Sequence, residues 1–172
     1  LKKDRIEAFF NTWRSQIAMA QHNPDIEHYL PVLVANAGNK ESPAYRQAFT
    51  ELEEQLQVIQ MVNGYLNVLL VDPRGNIIYS SGGRDRTQLS KALPPVKYFS
   101  EARKNIFFSD IYRRSSENAP LAMIGAAPIH DVQGVFVGEI VVEQGMDLIY
   151  RTILDTTGLG LTGEVVISRR EG

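Results

Sequence analysis

The chain has 172 residues, a formal net charge of −2, 44% hydrophobic and 22% charged residues. This is the balance of one globular domain, or of one domain with a helical extension. So small a net charge leaves no broad basic surface for nucleic acid, and no run reaches the about 18 apolar residues of a membrane span. Cysteine is absent. That excludes disulfides, thiolate metal sites and a cysteine nucleophile, and it is compatible with an extracytoplasmic setting.

Residues 1–21 carry a helical stripe of Ile6, Phe9, Phe10, Trp13, Ile17 and Ala20, spaced i, i+3/i+4, i+7. Asn23-Pro24 ends it, because proline has no amide donor and restricts its predecessor. Asp25 is the expected cap of a shorter helix from about Ile26, with Pro31 in its first turns and Gly38-Asn39 at its end. Ser42 and Pro43 open a third helix as N-cap and first residue. Its seam is Tyr45, Phe49, Leu52, Leu56 and Ile59, and Gly64 suits its C-terminus. The stripes of the two long helices are expected to cover each other, with the small helix between them.

Two β-hairpins follow. Tyr65-Leu-Asn-Val-Leu-Leu-Val71, the turn Asp72-Pro-Arg-Gly75 and Asn76-Ile-Ile-Tyr79 make the first. Leu121–Ile129, the turn His130-Asp-Val-Gln-Gly134 and Val135–Val142 make the second. Each has an Asp before its turn and a Gly at the turn's end. Val68–Val71 is continuously apolar, as in a central strand with both faces covered. Between the hairpins lie the polar loop Ser80–Arg86, a short helix from Pro94-Pro95, and a bent strand pair at Ile106–Ser109 and Ile111–Arg114. A helix is expected over Met146–Thr156, with Leu148, Ile149, Ile153 and Leu154 inward. A flexible Gly158–Gly163 connection and a last strand, Val165–Ile167, complete the chain. Starting inside a helical pattern and ending after a strand, the chain reads as a segment of a longer protein.

Catalytic patterns are not evident. His22, His28 and His130 lie on different elements without ligand spacing. Gly158-Leu-Gly-Leu-Thr-Gly163 matches Gly-x-Gly-x-x-Gly, but a helix precedes it and a strand follows, the reverse of a dinucleotide site. Asp110 and Glu139 are a formal acid–base pair, yet Asp110 reads as a turn residue and Glu139 as part of a solvated face. The signal that remains is a cluster of aromatic and cationic residues between the hairpins: Lys97, Tyr98, Phe107, Tyr112, Arg113, Arg114 and Met123. Rings that exclude water around one charged head are what a small polar ligand needs. Arg113 and Arg114 are adjacent on a strand, so at most one faces the covered side.

Four stretches together resemble the Cache (PDC, PAS-like) sensor domains of bacterial membrane receptors. They are Val68–Tyr79, Tyr98-Phe-Ser-Glu-Ala102, Phe108-Ser-Asp-Ile-Tyr112 and Pro128–Gly138. The resemblance implies an α+β fold, in which a long N-terminal helical hairpin packs on a PAS-like antiparallel sheet. It divides the chain into a helical region (1–63), a sensor module (64–157), and the linker and first strand of a second module (158–172). It also implies an extracytoplasmic part of an inner-membrane receptor, with a histidine kinase as first choice and a chemoreceptor or diguanylate cyclase as alternatives. The expected ligand-binding residues are Lys97, Tyr98, Phe107, Ser109, Asp110, Tyr112, Arg114 and Met123.

Amino-acid-sensing members of that family carry an arginine where this chain has Val96 and an aspartate where it has Arg114. Their further acidic position, near the end of the last long strand, aligns with Ile140 to within one residue. Replacement of an aspartate by Arg114 points to a small anionic ligand such as a carboxylate. The expectation is therefore a sensor, not an enzyme, with no cofactor or metal, a small-molecule ligand, no nucleic acid, and a homodimer in the receptor. The alternative is the same fold with a self-filled pocket, serving as a dimerisation or protein-interaction module.

Overall fold

Helix boundaries fall where the local chemistry changes. The computed structural model describes residues 2–82, 101–113 and 120–154. Helix α1 (Lys2–Gln21) stops before Asn23-Pro24, and α2 (Pro24–Ala35) starts at once. The cap of α2 is Asn23, not the expected Asp25. Pro24 holds Asn23 in an extended conformation, and its side-chain oxygen accepts from the amides of Asp25 and Ile26 at 2.9 and 3.2 Å. Asp25 instead lies in the first turn, where its charge meets the positive end of the helix dipole. Pro31 sits well inside α2 rather than in its first turns. Helix α3 (Pro43–Asn63) has the expected ends: Ser42 Oγ accepts from the Tyr45 amide at 3.1 Å, and Gly64 is its left-handed C-cap.

Six strands follow: β1 (Asn67–Val71), β2 (Ile77–Ser80), β3 (Phe107–Phe108), β4 (Tyr112–Arg113), β5 (Leu121–His130) and β6 (Phe136–Gly145). They precede α4 (Asp147–Leu154). The sheet is antiparallel in the order β2-β1-β6-β5-β3, with β4 also on β5. β3 and β4 pair with successive parts of β5, so the bent strand pair is one edge strand broken once. At the break the Ser109 amide donates to Ile124 O, while Ser109 Oγ replaces a backbone acceptor for the Ile124 amide, both at 2.9 Å. The two hairpin turns use one device. Oδ1 of Asp72 accepts from the amides of Arg74 and Asn76 at 2.8 Å, and Oδ1 of Asp131 accepts from those of Gln133 and Val135 at 2.9 Å. Gly75 and Gly134 supply the positive φ that each turn requires.

All three N-terminal helices contribute to one core. Trp13, Ile17, Leu30, Leu52 and Leu56 are buried with Val68, Leu70, Ile129, Ile140 and Val142, each such aliphatic side chain stabilising by about 1.5–3 kcal/mol. The long helices do not chiefly cover each other, as the stripes led one to expect. α3 packs mainly on α2, and α1 lies on β5. The composition of β5 explains the difference. A Cβ on Gly125 would stand 2.3 Å from the Ile17 methyl and 3.2 Å from Trp13, so the bare backbone there lets α1 seat directly on the strand.

Gly138 of β6 is tighter still. Its φ is +148°, and a Cβ would lie 2.3 Å from the backbone oxygen of Val71. A methyl of Ile17 can rotate away, but a carbonyl in a central strand cannot. We expect Gly138→Ala to destabilise by at least about 2 kcal/mol and Gly125→Ala by clearly less. Urea unfolding of the two variants checks the order.

Candidate functional site

The sheet face turned away from α1, α2 and α3 is built differently from the one those helices cover. Asn67, Leu69 and Val71 of β1 pair with Glu143, Val141 and Glu139 of β6. These stand opposite Ile124, Ala126 and Pro128 of β5. On the edge, Phe107 opposes Ala126 and Tyr112 opposes Ala122. Paired residues of an antiparallel ladder share a face, so all of these lie on the same side. Leu69, Val71, Ala102, Ile124, Ala126 and Val141 form a second apolar cluster there, and Ile77, Phe107 and Tyr112 pack against it.

Three buried polar residues interrupt this apolar floor: Asn67, Glu139 and Glu143, each at most 2% exposed. The Tyr112 hydroxyl donates to Glu143 Oε1 at 2.7 Å. That uses one acceptor position of a carboxylate that has about four. Asn67 Oδ1 accepts from Ser80 Oγ, Ser81 Oγ and the Gly82 amide at 3.2, 3.1 and 2.9 Å, which fixes the chain as it leaves β2. Ala122 and Ala126 keep the floor low beside the two rings. The arrangement presents acceptors and aromatic edges over small side chains and holds no nucleophile–base pair. Among the described residues no cluster of His, Asp or Glu is arranged to hold a metal ion.

Glu139 lies toward the hairpin turns. The sequence placed it on a solvated face, but β6 is interior, with β1 and β5 on either side, and the carboxyl is buried. Burial pushes its pKa up to about 7, and the guanidinium of Arg103 partly offsets that rise. Arg103 is held by the backbone oxygen of Pro73 and lies 5.2 Å over the Phe136 ring. Glu139 Oε2 has no hydrogen-bond partner among the described residues. Asp110 is exposed on the broken edge beside β5, so the two carboxylates do not form a pair.

The expected ligand-binding residues divide. Phe107 and Tyr112 are on the face away from α1, α2 and α3, whereas Met123 belongs to the core under those helices. Phe107, Ser109, Asp110 and Met123 line a cavity of about 650 Å³ at the sheet edge, bounded also by α1 and α4. Lys97, Tyr98 and Arg114 lie outside the described residues, as do Val96, the Gly158–Gly163 connection and the strand expected at Val165–Ile167. Ile140, with which the family's further acidic position aligns to within one residue, is fully buried under the helices, and strand alternation puts Glu139 and Glu143 on the other face. Sequence reasoning missed Asn67 and Glu143. The available signal was two glutamates four apart in an apolar strand, which must share a face.

The raised pKa of Glu139 fixes the sign of a pH effect. The folded chain binds the proton more tightly than the unfolded chain, so its stability contribution is fully present below the ordinary glutamate pKa and is lost as pH rises through about 7. We expect wild-type stability to decline from pH 5 to pH 8 by up to about 3 kcal/mol from this group. Glu139→Gln should flatten that decline, as denaturant unfolding at the two pH values will measure.

No protein-family model matches the sequence, and no curated protein matches it. Solved structures do. The sensory domain of the Campylobacter jejuni chemoreceptor Tlp3 with isoleucine bound has 17% identity and a TM-score of 0.62, covering 88% of this chain and 58% of its own. The sensor domain of the Vibrio cholerae histidine kinase DctB has 19% identity and a TM-score of 0.61, covering 90% and 57%. A domain of a Vibrio parahaemolyticus protein assigned to the sensory box/GGDEF family has 14% identity and a TM-score of 0.53, covering 86% and 59%. The chain thus spans under three-fifths of the length of each. No described helix is long and apolar enough to cross a membrane. With α1, α2 and α3 on one side of an antiparallel sheet in this strand order, the chain has the Cache-like fold shared with these sensory domains.

Proposed function

We propose that the chain is the ligand-binding sensor domain of a membrane receptor, and that it holds a small molecule on the face of the sheet away from α1, α2 and α3. The observation that carries this is the buried Glu143 carboxylate, oriented by the half-buried Tyr112 hydroxyl beside the low floor of Ala122 and Ala126. A carboxylate held in a fixed direction on an apolar face is a specific acceptor for a donor group of a small molecule. The ligand in this reading offers an ammonium or other donor group to Glu143. The anionic group expected from the sequence falls to Lys97 or Arg114. An amino acid or hydroxy acid combines both groups. Structural neighbours support the class: Tlp3 domains have been solved with isoleucine and L-valine bound, and DctB is a histidine kinase.

The receptor setting completes the proposal: an extracytoplasmic position, anchorage in the inner membrane, a homodimer, and a histidine kinase as first choice of output. Binding itself involves no chemistry. Ile124 and Ala126 face the ligand side while Gly125 between them touches α1. A ligand that shifts β5 therefore shifts the seat of the long N-terminal helix, which carries the change onward. The packing of Phe107 and Tyr112 into the apolar cluster favours one second reading, in which the face is filled by its own side chains and the fold recognises a protein.

Thermal unfolding with a panel of amino acids, hydroxy acids and dicarboxylates separates the two. At hundredfold excess over Kd a true ligand stabilises by about 2.7 kcal/mol. Glu143→Gln and Tyr112→Phe should abolish that gain, and Arg114→Ala should reduce it for ligands bearing a carboxylate. Absence of any stabilising compound, or equal gains in all variants, would favour the protein-interaction reading.

A further inference from the structure

The cavity at the broken edge of the sheet opens toward α1 and α4 and shares only Phe107 with the face just described. We propose that it is a second small-molecule site, selective for a compact monocarboxylate with an apolar body. Its volume of about 650 Å³ is within the range of small-molecule pockets. Its described lining includes neither Asn67, Tyr112 nor Glu143. The walls are apolar: Phe10 from α1, Phe108 from β3, Met123 from β5 and Ile149 from α4.

Arg14 supplies the head-group contact. Its guanidinium lies 5.1 Å from the centroid of the Phe108 ring, on the cavity wall, and it has no ion-pair partner among the described residues. The ring holds the planar cation in place at little entropic cost, so a carboxylate entering beside Phe108 meets a fixed two-pronged donor. The other charges at the rim set an upper limit on ligand charge. Glu101, Lys104 and Asp110 are exposed charged residues on the same lining, two acidic against one basic, and a second carboxylate on the ligand would meet that net negative rim. A monoanion with a branched aliphatic or aromatic body satisfies the walls and the rim together.

The position also gives occupancy a consequence. α1 and α4 touch each other and each contributes to the lining. A ligand wedged there sets the packing of the helix that enters the sheet domain against the helix that leaves the second hairpin. The site does not depend on the proposed function of the sheet face, and the two fail separately.

Calorimetric titration with 4-methylpentanoate tests the proposal, with 4-methylpentanamide and succinate as controls. Trp13, the only tryptophan, stands 4.7 Å from Phe108, so its emission should change in step with binding. We expect saturable binding of the monocarboxylate, at least about tenfold weaker binding of the neutral amide and of succinate, and a similar loss in Arg14→Gln. Arg14 is exposed, so this variant leaves the core intact. Binding should persist in Glu143→Gln and Tyr112→Phe. The proposal is overturned by no binding, by equal binding of the amide, or by binding that survives Arg14→Gln. Loss of binding in Glu143→Gln instead would place the compound on the sheet face and overturn it equally.

Discussion

The contact between α1 and β5 at Gly125 governs the rest of this architecture. The absence of a side chain there lets Trp13 and Ile17 settle on the strand itself, and both are essentially inaccessible to solvent. With α1 on β5, the remaining helix-side surface falls to α2 and α3, which pack on each other and extend over β1 and β6. The two faces of the sheet meet back to back across a single strand. Alternation along β5 makes Gly125 a neighbour of α1 and Ile124 and Ala126 neighbours of the opposite side, with no intervening layer to absorb a displacement.

Compared with the core under α1, α2 and α3, whose buried members are almost all apolar, the face away from those helices is composed differently. Here Glu139, Glu143 and Asn67 are buried among Leu69, Val71, Ile124 and Val141. Asn67 is accounted for locally, because it orders Ser80–Gly82. Glu143 is oriented by Tyr112, which also fixes the direction of its second oxygen. Glu139 has neither role, and its raised pKa reflects that isolation. Natural sequences depart from local consistency of this kind mainly where function requires it.

Much of the fold could be read directly because its signals are local. Ser42-Pro43 and Gly64 bound a helix through hydrogen bonds within one turn, and the Asp72 and Asp131 turns close on their own amides. The error at Asp25 shows how local chemistry can mislead. Aspartate is a good cap, but Pro24 constrains its own predecessor more strongly, so Asn23 takes the role. The candidate site was less legible. Phe107 and Tyr112 were found from aromatic content, but Met123 fell on the other side of the sheet. Glu143 was passed over because the face it takes, and what it meets there, depend on the pairing of β6 with β1 and β5.

The sequence by itself determined the described helices and strands, their order, the turn chemistry and the broken edge strand. Each of these follows from interactions between residues a few positions apart. Only the tertiary structure decided that α1 would seat on β5 and not on α3, that Glu139 and Glu143 would be buried on one face, and that a cavity would open between α1, the β3–β4 edge and α4. Those outcomes depend on which distant surfaces meet, on the bare backbone at Gly125, and on the register of the β1–β6 and β5–β6 ladders.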